Sequence, residues 1–481
     1  MNIRDGFPVF RTVIEANHIE RRADVLGCQL LTADENKQFL RLSKQPDIAQ
    51  RLINSIEPSI YGHQQVKTAL ELALFVGKAK YIKISRVRGD LNVLMEGNPG
   101  TTKSKFLKFA KQTAPRASRV KDDARAFLGV PCRGVNLGAW LVAEHWISWD
   151  SSLWHGVPDE IKNQGEFATM KFLGHEEGDR RFHEHRRTWI TESDIGEIKR
   201  FGLNAVRVPV GYWIMGFDPT DVSNKQEWTV FAPNGLVYLD ALVTQWCVKY
   251  EMAVIVDIHA AKGSQNGREH SAAVACGAKY WHQYPENVDN TVYLAKFLAS
   301  RYRSSPSFLG IGLLNEPEPP MDQQVLRSYY ERAYSEIRAT GNDCVLTVAP
   351  LLMEQSPPFM EDFMRFPMYF NVWHEWHPYF IWGYEGQNRN QVLQAIRRYG
   401  EQIASWTGNW LLIDEWSLGA QECAFVSDDR CGLEQFASAQ LEAFSKAHSG
   451  SMFWTWRHSD DQYRRTGWSM RQLLRDGVIK W

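Results

Sequence analysis

Two carboxylates in the C-terminal part of this 481-residue chain follow short apolar runs in the same way. Glu316 comes just after FLGIGLL at 308–314, and Glu415 comes just after WLLI at 410–413. A pair of carboxyl groups can cleave a glycosidic bond, because one protonates the leaving oxygen while the other attacks the anomeric carbon or activates water. The residue types therefore indicate hydrolysis of a sugar, provided that a fold brings the two strand ends together.

Hydrogen-bond donors and aromatic residues end other apolar runs of the same region. They are Arg207, His259, Asn315, His377, Tyr379 and either Trp454 or Trp456, of which Trp454 is preferred. Strand ends that only stabilised a core would carry Val, Ile or Leu instead. Aromatic rings suit the apolar C–H face of a pyranose, while polar partners bind its hydroxyls. We expect about three to five of the 19 tryptophans to line a cleft and the others to pack in the core.

The elements that must position these residues are eight apolar runs that alternate with helical stretches. The runs lie at 133–138, 205–210, 252–261, 308–317, 345–350, 368–379, 410–418 and 451–457. Strands that alternate with helices are typical of parallel βαβ units, because parallel strands need crossover connections. Eight such units predict an α/β fold, a (β/α)8 TIM barrel, whose active site lies at the C-terminal strand ends. The long connection at 140–187 is expected to form loops over the barrel mouth.

Longer motifs around these residues carry a family resemblance. They are RGVNLGAWLVAEHW (133–146), GLNAVRVPVGYW (202–213), DIHAAKGSQNG (257–267), GIGLLNEP (310–317), HPY (377–379), LIDEWSLG (412–419) and FWTWR (453–457). Residues 128–481 resemble glycoside hydrolase family 5, and within it the fungal and oomycete exo-β-1,3-glucanases. The resemblance implies a retaining glycosidase that cleaves β-glucan by double displacement, needs no cofactor or metal and acts as a monomer.

The resemblance also implies roles for individual residues. Glu316 matches the general acid/base and Glu415 the nucleophile. The substrate-binding positions are Glu144, Arg207, His259, Asn315, His377, Tyr379 and Trp454. Among them, Arg207 is expected to orient the nucleophile and keep it ionised, and Asn315 to bind the sugar 2-OH. Endo action or a β-1,4 linkage stays open as an alternative, whereas a non-catalytic glucan-binding protein is disfavoured because both glutamates are present.

The chain departs from the family pattern at two places. Arg268, Glu269 and His270 stand where the exo-glucanases usually have Asp-Asn-Ser, and Asp414 stands where a Gly usually precedes the nucleophile. Specificity is therefore less firmly implied than the reaction class. A zinc site at His374, Glu375 and His377 is not expected, because neighbouring positions of a strand face opposite sides and His374 and His377 point apart.

A different motif precedes the barrel. Gly100, Lys103 and Ser104 lie in GNPGTTKS (97–104), between an apolar run and a helical stretch. In a P-loop, backbone N–H groups cradle phosphates, the Lys reaches the β- and γ-phosphates and the Ser binds Mg²⁺. Thr102 replaces the Gly that usually precedes the Lys.

Residues 7–117 resemble the minichromosome maintenance replicative helicases, most closely the second subunit type, through FPVFRTVIEANHI, SIEPSIYGHQQVKTALELALFVG and the P-loop segment. The pattern ends at Ala117, before the acidic strand that an ATPase needs to hold Mg²⁺. We therefore expect residues 1–117 to be a truncated helicase-like segment with at most a vestigial nucleotide site, 118–127 a junction and 128–481 the catalytic domain. A nucleotide- and DNA-binding helicase fragment is the alternative function.

Composition supports this division. All 19 tryptophans lie at or after Trp140, and residues 1–117 hold 19 Lys and Arg against 11 Asp and Glu, so the net charge of −1 averages a basic and an acidic region.

The expected partner is a β-glucan, without membrane or nucleic acid. The resemblance implies an extracellular or cell-wall enzyme, although the N-terminus has no apolar core of a secretory signal and taken literally indicates the cytoplasm. Six cysteines follow residue 127, and they fit either disulfides, such as Cys423 with Cys431, or reduced thiols.

Overall fold

The computed structural model describes residues 131–480 apart from 222–224, 367, 427–428 and 463–465. Before residue 131 it describes 2–4, 7–9, 45, 47–56, 60, 63–75, 80–82 and 85–87. Within these N-terminal segments, helices span Ile48–Ser55 and Gln64–Phe75. Antiparallel strand pairs join Asn2–Arg4 with Phe7–Val9 and Lys80–Ile82 with Ser85–Val87. The predicted P-loop residues Gly100, Lys103 and Ser104 lie outside the described residues.

Eight parallel strands close into a barrel. In chain order, β1 to β8 are Cys132–Asn136, Ala205–Gly211, Ala253–Ala260, Phe308–Gly312, Val345–Val348, Val372–Trp376, Leu411–Ile413 and Gly450–Phe453. Each strand pairs with the next in the chain, and β8 pairs with β1 through contacts such as Met452 with Gly134. Closure leaves no open edge. The (β/α)8 prediction is confirmed, and each predicted apolar run overlaps one strand.

Ten α-helices, a π-helical segment and several short 3-10 helices accompany the barrel in the region described from residue 131 onward. In chain order, α1 to α10 are Asp159–Lys162, Glu166–Trp189, Glu192–Arg200, Gly235–Ala241, Cys247–Lys249, Pro285–Tyr302, Gln323–Ala339, Arg389–Ser405, Arg430–Phe444 and Met470–Arg475. The π-helical turn Leu242–Trp246 joins α4 to α5. No regular helix joins β5 to β6 in the described residues of 349–371. Local sequence signals explain where two of these helices begin. Pro285 is the first residue of α6, and the Asp322 carboxylate accepts from the Gln324 N–H at 2.8 Å to cap α7.

One expectation about the connections is wrong. The segment 140–187, which we expected to form loops, contains most of the long helix α2, which bends at Gly174 where φ is 69°. Its surface carries ion pairs at helical spacing, such as Arg181 with Glu177 at 2.6 Å and Arg187 with Glu184 at 2.7 Å. Such charged turns stabilise a helix but hide the apolar period that would reveal it in the sequence.

The barrel interior is layered, because alternate residues of each strand point inward. The layer near the N-terminal strand ends is apolar and consists of Cys132, Ala205, Ala253, Ile255, Leu309, Val345, Trp373, Leu412 and Met452. Two residues further along their strands, Arg207, Asp257, Glu375 and Asp414 replace this apolar layer with buried charged side chains. The fold therefore places an ionic layer directly below the C-terminal strand ends.

Among the described residues, no helix is long and apolar enough to cross a membrane.

Candidate active site

Arg207, near the middle of β2, is the centre of the site. Its Nη1 donates to Glu415 Oε1 at 2.7 Å and to Asn136 Oδ1 at 3.0 Å, and its Nη2 donates to Asn315 Oδ1 at 2.8 Å. The same guanidinium pairs with Asp257 at 3.0 Å, and its Nε lies 3.3 Å from Asp414 Oδ2. A planar fork of donors can hold several oxygens at once, which a lysine could not. Arg207 therefore links the ends of five strands.

Glu415 lies two residues past the end of β7. Tyr379 donates its hydroxyl to Glu415 Oε2 at 2.8 Å, and His377 Nδ1 lies 3.5 Å from the same oxygen. With Arg207 on Oε1, both carboxylate oxygens have donors. A carboxylate that is held by a cation and a hydroxyl keeps a fixed orientation.

Glu316 faces Glu415 from the loop after β4. Its backbone is in the left-handed region with φ of 45°, and Asn266 Nδ2 donates to its carbonyl at 3.2 Å. Its Oε1 shares a 3.0 Å hydrogen bond with His377 Nδ1, and its Oε2 lies 3.6 Å from His270 Nε2. One oxygen of Glu316, one of Glu415 and a nitrogen of His377 all lie within 4.8 Å of one another. The site therefore brings the two predicted carboxylates together.

His259 and Trp454 form one wall. Their rings are parallel, with centroids 5.3 Å apart and an interplanar angle of 5°. His259 Nδ1 bonds Asp257 Oδ2 at 2.7 Å, and burial lowers the pKa of His259 well below its usual value, so its ring is neutral. By contrast, the indole N–H of Trp456 donates to Asp194 at 3.0 Å, at the first turn of α3.

Glu144 is a buried carboxyl on the connection after β1. It accepts from Trp146 Nε1 at 3.0 Å and from the Ala139 N–H at 3.3 Å. Burial raises the pKa of Glu144 well above its usual value, and repulsion from Glu269 adds to the shift, although the Trp146 hydrogen bond opposes it. Glu144 is therefore held by donors of its own loop and belongs to the region that carries the family departure at Glu269.

His377 and Glu316 shift each other's pKa values in opposite directions. Burial by itself would lower the pKa of His377, but the carboxylates of Glu415, Asp414 and Glu316 raise it well above its usual value. Burial by itself would raise the pKa of Glu316, but the hydrogen bond and charge of His377, joined by His270, lower it to about 2. The shared proton is therefore on His377.

The carboxyl groups of the ionic layer have pKa values that are shifted in opposite directions. Burial raises the pKa of Glu375 well above its usual value, and repulsion from Asp414 adds to the shift. Burial also raises the pKa of Asp257, to about 7, against the attraction of Arg207. Burial would raise the pKa of Asp414 as well, but His377 and Arg207 outweigh it and lower the value.

Within the part of the chain that the structure describes, two sets of side chains have atoms close enough for a shared cation, and both sets include His377. One is Glu316, His377 and Glu415, and the other is Glu375, His377 and Asp414. Arg207 already pairs with Asp414 and Glu415. A protein cation therefore occupies the electrostatic role that a metal would take. His374, as expected, points away from His377, and its ring packs 5.1 Å from Trp406.

Sequence reasoning missed several members of the site. Asp257 and Glu375 are buried in the barrel, and their signal was a charged residue at the period-2 interior position of an otherwise apolar strand. It also missed an aromatic surface beside Tyr379, where Trp382 lies 5.4 Å from Tyr379 and 6.0 Å from Trp468 between ring centroids. Trp146 lies 5.2 Å from Trp468 and extends this surface towards Glu144.

The departures from the family pattern also have defined contacts. His270 approaches Glu316, and Arg268 pairs with Glu318 at 2.6 Å. All six cysteines after residue 127 are free thiols, so the disulfide alternative for Cys423 and Cys431 is wrong.

Comparison with known proteins shows the family to which this barrel belongs. Residues 167–460 match the model of the cellulase family, glycosyl hydrolase family 5. The probable glucan 1,3-beta-glucosidase A of Emericella nidulans is 30% identical over 395 residues, which cover 74% of this chain and 91% of that protein. The chain belongs to glycosyl hydrolase family 5. A glucan 1,3-beta-glucosidase of Yarrowia lipolytica is 26% identical over 72% of this chain and 87% of that protein.

The family 5 barrel also has solved structural neighbours. The rutinosidase of Aspergillus niger aligns with a TM-score of 0.60 and 16% identity over 74% of this chain and 99% of that one. At this identity the likeness shows the fold. The chain is thus a glycoside hydrolase of family 5 with a (β/α)8 barrel.

The N-terminal region matches a different family. Residues 35–131 match the MCM P-loop domain, and 118 residues are 51% identical to the DNA replication licensing factor MCM2 of Arabidopsis thaliana. This match covers 24% of the chain and 13% of that relative. The helicase-like resemblance is confirmed over a small fraction of the helicase.

Proposed function

We propose that the family 5 barrel hydrolyses β-1,3-glucan with retention of the anomeric configuration, releasing glucose from a chain end. The observation that carries the proposal is the approach of the Glu316 and Glu415 carboxylates, which have oxygens within 4.8 Å of one another. Retaining glycosidases hold their carboxyl groups about 5–5.5 Å apart, whereas inverting enzymes need about 6.5–9.5 Å to admit a water. The linkage is supported by the names of the relatives.

In the first step Glu415 attacks the anomeric carbon and Glu316 protonates the leaving oxygen. Arg207 and Tyr379 fix the two oxygens of Glu415, so its attack needs little reorganisation. In the second step Glu316 takes a proton from water, which attacks the glycosyl-enzyme bond and frees Glu415. No cofactor is needed, because both steps exchange only protons and one sugar-oxygen bond.

The remaining side chains bind the sugar. We assign Asn315 to the 2-OH, since Arg207 holds its Oδ1 and leaves its Nδ2 without a partner among the described side chains. Trp454 floors the cleaved sugar, and His259, His377 and Glu144 surround it. The substrate class also suggests that the enzyme acts at the cell wall or outside the cell, as a monomer.

The test is the configuration of the first product. NMR during hydrolysis of laminarin should show β-glucose before mutarotation, and α-glucose first would contradict retention. Laminarin with a blocked reducing end should yield glucose only, whereas a ladder of oligosaccharides would indicate endo action. Faster cleavage of β-1,4-glucan would contradict the proposed linkage.

We further propose that residues 1–117 are a truncated helicase-like segment, 118–127 a junction and 128–481 the catalytic domain. The match to MCM2 covers 13% of that protein, which supports a fragment rather than a working helicase. Gly100, Lys103 and Ser104 would at most bind a nucleotide weakly.

A further inference from the structure

A line of four side chains, half-buried at Glu316 and buried at the other three, runs from the active site into the barrel. Glu316 Oε1 bonds His377 Nδ1 at 3.0 Å, and His377 Nε2 lies 3.0 Å from Asp414 Oδ1. Behind Asp414, the inward side chain of Glu375 completes a group with His377 and Asp414 whose members lie within 4.8 Å of one another. Glu375, His377 and Asp414 are 1%, 6% and 0% exposed. The line meets the active site at Glu316, and its His377 Nδ1 also lies 3.5 Å from Glu415 Oε2.

Glu375 has an unusual environment. Neither of its carboxylate oxygens accepts a hydrogen bond from a donor of the described chain. Arg207, the nearby cation, forms its ion pairs with Asp257, Asp414 and Glu415 instead. An isolated buried carboxylate is very costly, so the group is stable only when it is protonated or paired. A protonated Glu375 donates to the Asp414 carboxylate, which agrees with its raised pKa.

The protonation of Glu375 then decides where the other protons of the line lie. The Asp414 carboxylate lies beside a protonated Glu375 on one side and forms an ion pair with His377 Nε2 at 3.0 Å on the other. His377 is left with Nδ1–H to donate to Glu316. A buried carboxylate that accepts from a ring nitrogen fixes the orientation of an imidazole and favours its protonated form.

We propose that Asp414 and Glu375 are positioning residues that keep a reserve proton on His377 for the acid step of Glu316. This inference rests on the proposed function, because it deepens the role assigned to Glu316. It explains how Glu316 can serve as an acid although the neighbouring His377 keeps it ionised.

The proton count balances over one turnover. As the Glu415 oxygen bonds to the anomeric carbon and the glycosidic bond breaks, one proton passes from His377 Nδ1 to Glu316 and one from Glu316 to the leaving oxygen. When water attacks the glycosyl-enzyme, its proton passes to Glu316 and His377 recovers its own. Asp414 and Glu375 lose and gain nothing, and they stabilise the charged imidazole before and after each cycle.

Several titratable or charged groups face this line. They are Glu316 after β4, Glu375 and Tyr379 on and after β6, Asp414 and Glu415 after β7, Arg207 on β2, Asp257 and His259 on β3, and His270 on the following loop. Asp414 is the carboxylate that contacts His377 Nε2. Removing its charge is therefore the most direct perturbation of the proton on His377.

The first experiment measures kcat/KM against pH for aryl β-glucosides with good and poor leaving groups. In Asp414→Asn, the basic limb of the kcat/KM pH profile should move to lower pH by about one unit or more, because His377 loses a carboxylate that raises its pKa. Cleavage of phenyl β-glucoside, which needs an acid, should fall about 10²-fold, whereas dinitrophenyl β-glucoside should be affected much less. Asp414→Ser tests the same loss of charge if Asp414→Asn does not fold.

A matched control is Asp240→Asn, which removes a carboxylate paired with Arg301 on the outer helices. Its basic limb and leaving-group dependence should stay at the wild-type values. The inference is overturned if Asp414→Asn and Asp414→Ser behave like this control. Glu375→Gln should keep the wild-type basic limb, since an amide donates as a protonated carboxyl does. A shift to lower pH would show that Glu375 is ionised and would overturn the role assigned to it.

A readout without substrate separates this inference from the proposed function. In ¹⁵N-histidine-labelled full-length protein, the His377 ring, identified by its loss in His377→Gln, should stay doubly protonated to higher pH than in Asp414→Asn. Equal titration in both proteins would overturn the inference even if the enzyme is active. The expected NMR difference in a protein that cleaves no β-glucoside would instead overturn the proposed function.

Discussion

Arg207 is a single residue that contacts side chains of five neighbours. Nitrogen atoms of its guanidinium lie 2.7–3.3 Å from oxygen atoms of Asn136, Asp257, Asn315, Asp414 and Glu415. It is fully buried, so its charge depends entirely on these partners. Removing one member of such a group leaves the opposite charges buried and uncompensated.

The Arg207→Ala substitution should therefore lower the free energy of unfolding by about 3–5 kcal/mol, measured by urea denaturation. Arg207→Lys keeps the charge but loses the fork, so it should retain more stability while kcat falls. A stability change below about 1 kcal/mol in Arg207→Ala would contradict the role of this network, because that is the range of exposed ion pairs.

The roles proposed for Glu316 and Glu415 make a second prediction at the residue scale. Glu316→Gln and Glu415→Gln keep the size of each side chain, and each should lower hydrolysis of laminarin by about 10²–10⁴-fold or more. Azide should rescue a Glu316→Ala variant as a β-glucosyl azide and a Glu415→Ala variant as an α-glucosyl azide. Near wild-type activity in either Gln variant would refute the role assigned to that residue.

At the scale of elements, the two faces of strand β6 place titratable side chains in different environments. Glu375 points into the barrel towards Asp414, while the next residue back, His374, points out and packs against Trp406. Burial lowers the pKa of His374 to about 3. The folded protein therefore keeps this ring neutral where the unfolded chain protonates it.

His374 should make stability fall in acid. Its folded pKa lies below the unfolded value of about 6.5, so its contribution is present above that pH and is lost as the pH falls towards about 3. The difference in unfolding free energy between wild type and His374→Leu should change by up to about 1.4 kcal/mol per pH unit in this window. Urea unfolding at several pH values measures it, and a constant difference would refute the neutral ring.

At the scale of the whole molecule, the barrel is complete without the helicase-like segment. β8 pairs with β1, and the three apolar clusters of the barrel contain only residues from Cys132 onward. The fourth cluster of the described chain consists of Ile56, Ile60 and Leu70 with Val66 against them.

A chain that begins at residue 128 should therefore unfold at the same midpoint and hydrolyse laminarin with the same kcat/KM as the full chain. Calorimetry and sugar release check this. Lys103→Ala in the full chain is the control, and it should change neither value. A truncated chain that does not fold would contradict the proposed boundary.

The sequence by itself determined the fold and most of the site. Strand–helix alternation predicted the barrel, and polar residues at strand ends predicted Glu316, Glu415, Arg207 and His377. These are local signals: each apolar run needs a strand, and a polar residue at its end is visible without knowing its neighbours. Helix α2 was missed because its charged turns have no apolar period.

Only the tertiary structure decided how these residues interact. The contact of His377 with Asp414 and the burial of Glu375 behind it join β6 to the end of β7, and no pattern within either strand encodes that distance. The charge on each carboxyl depends on which cations and carboxylates the closed barrel brings within a few ångströms. The sequence therefore specified which side chains reach the barrel mouth, and closure of the barrel decided which of them share a proton.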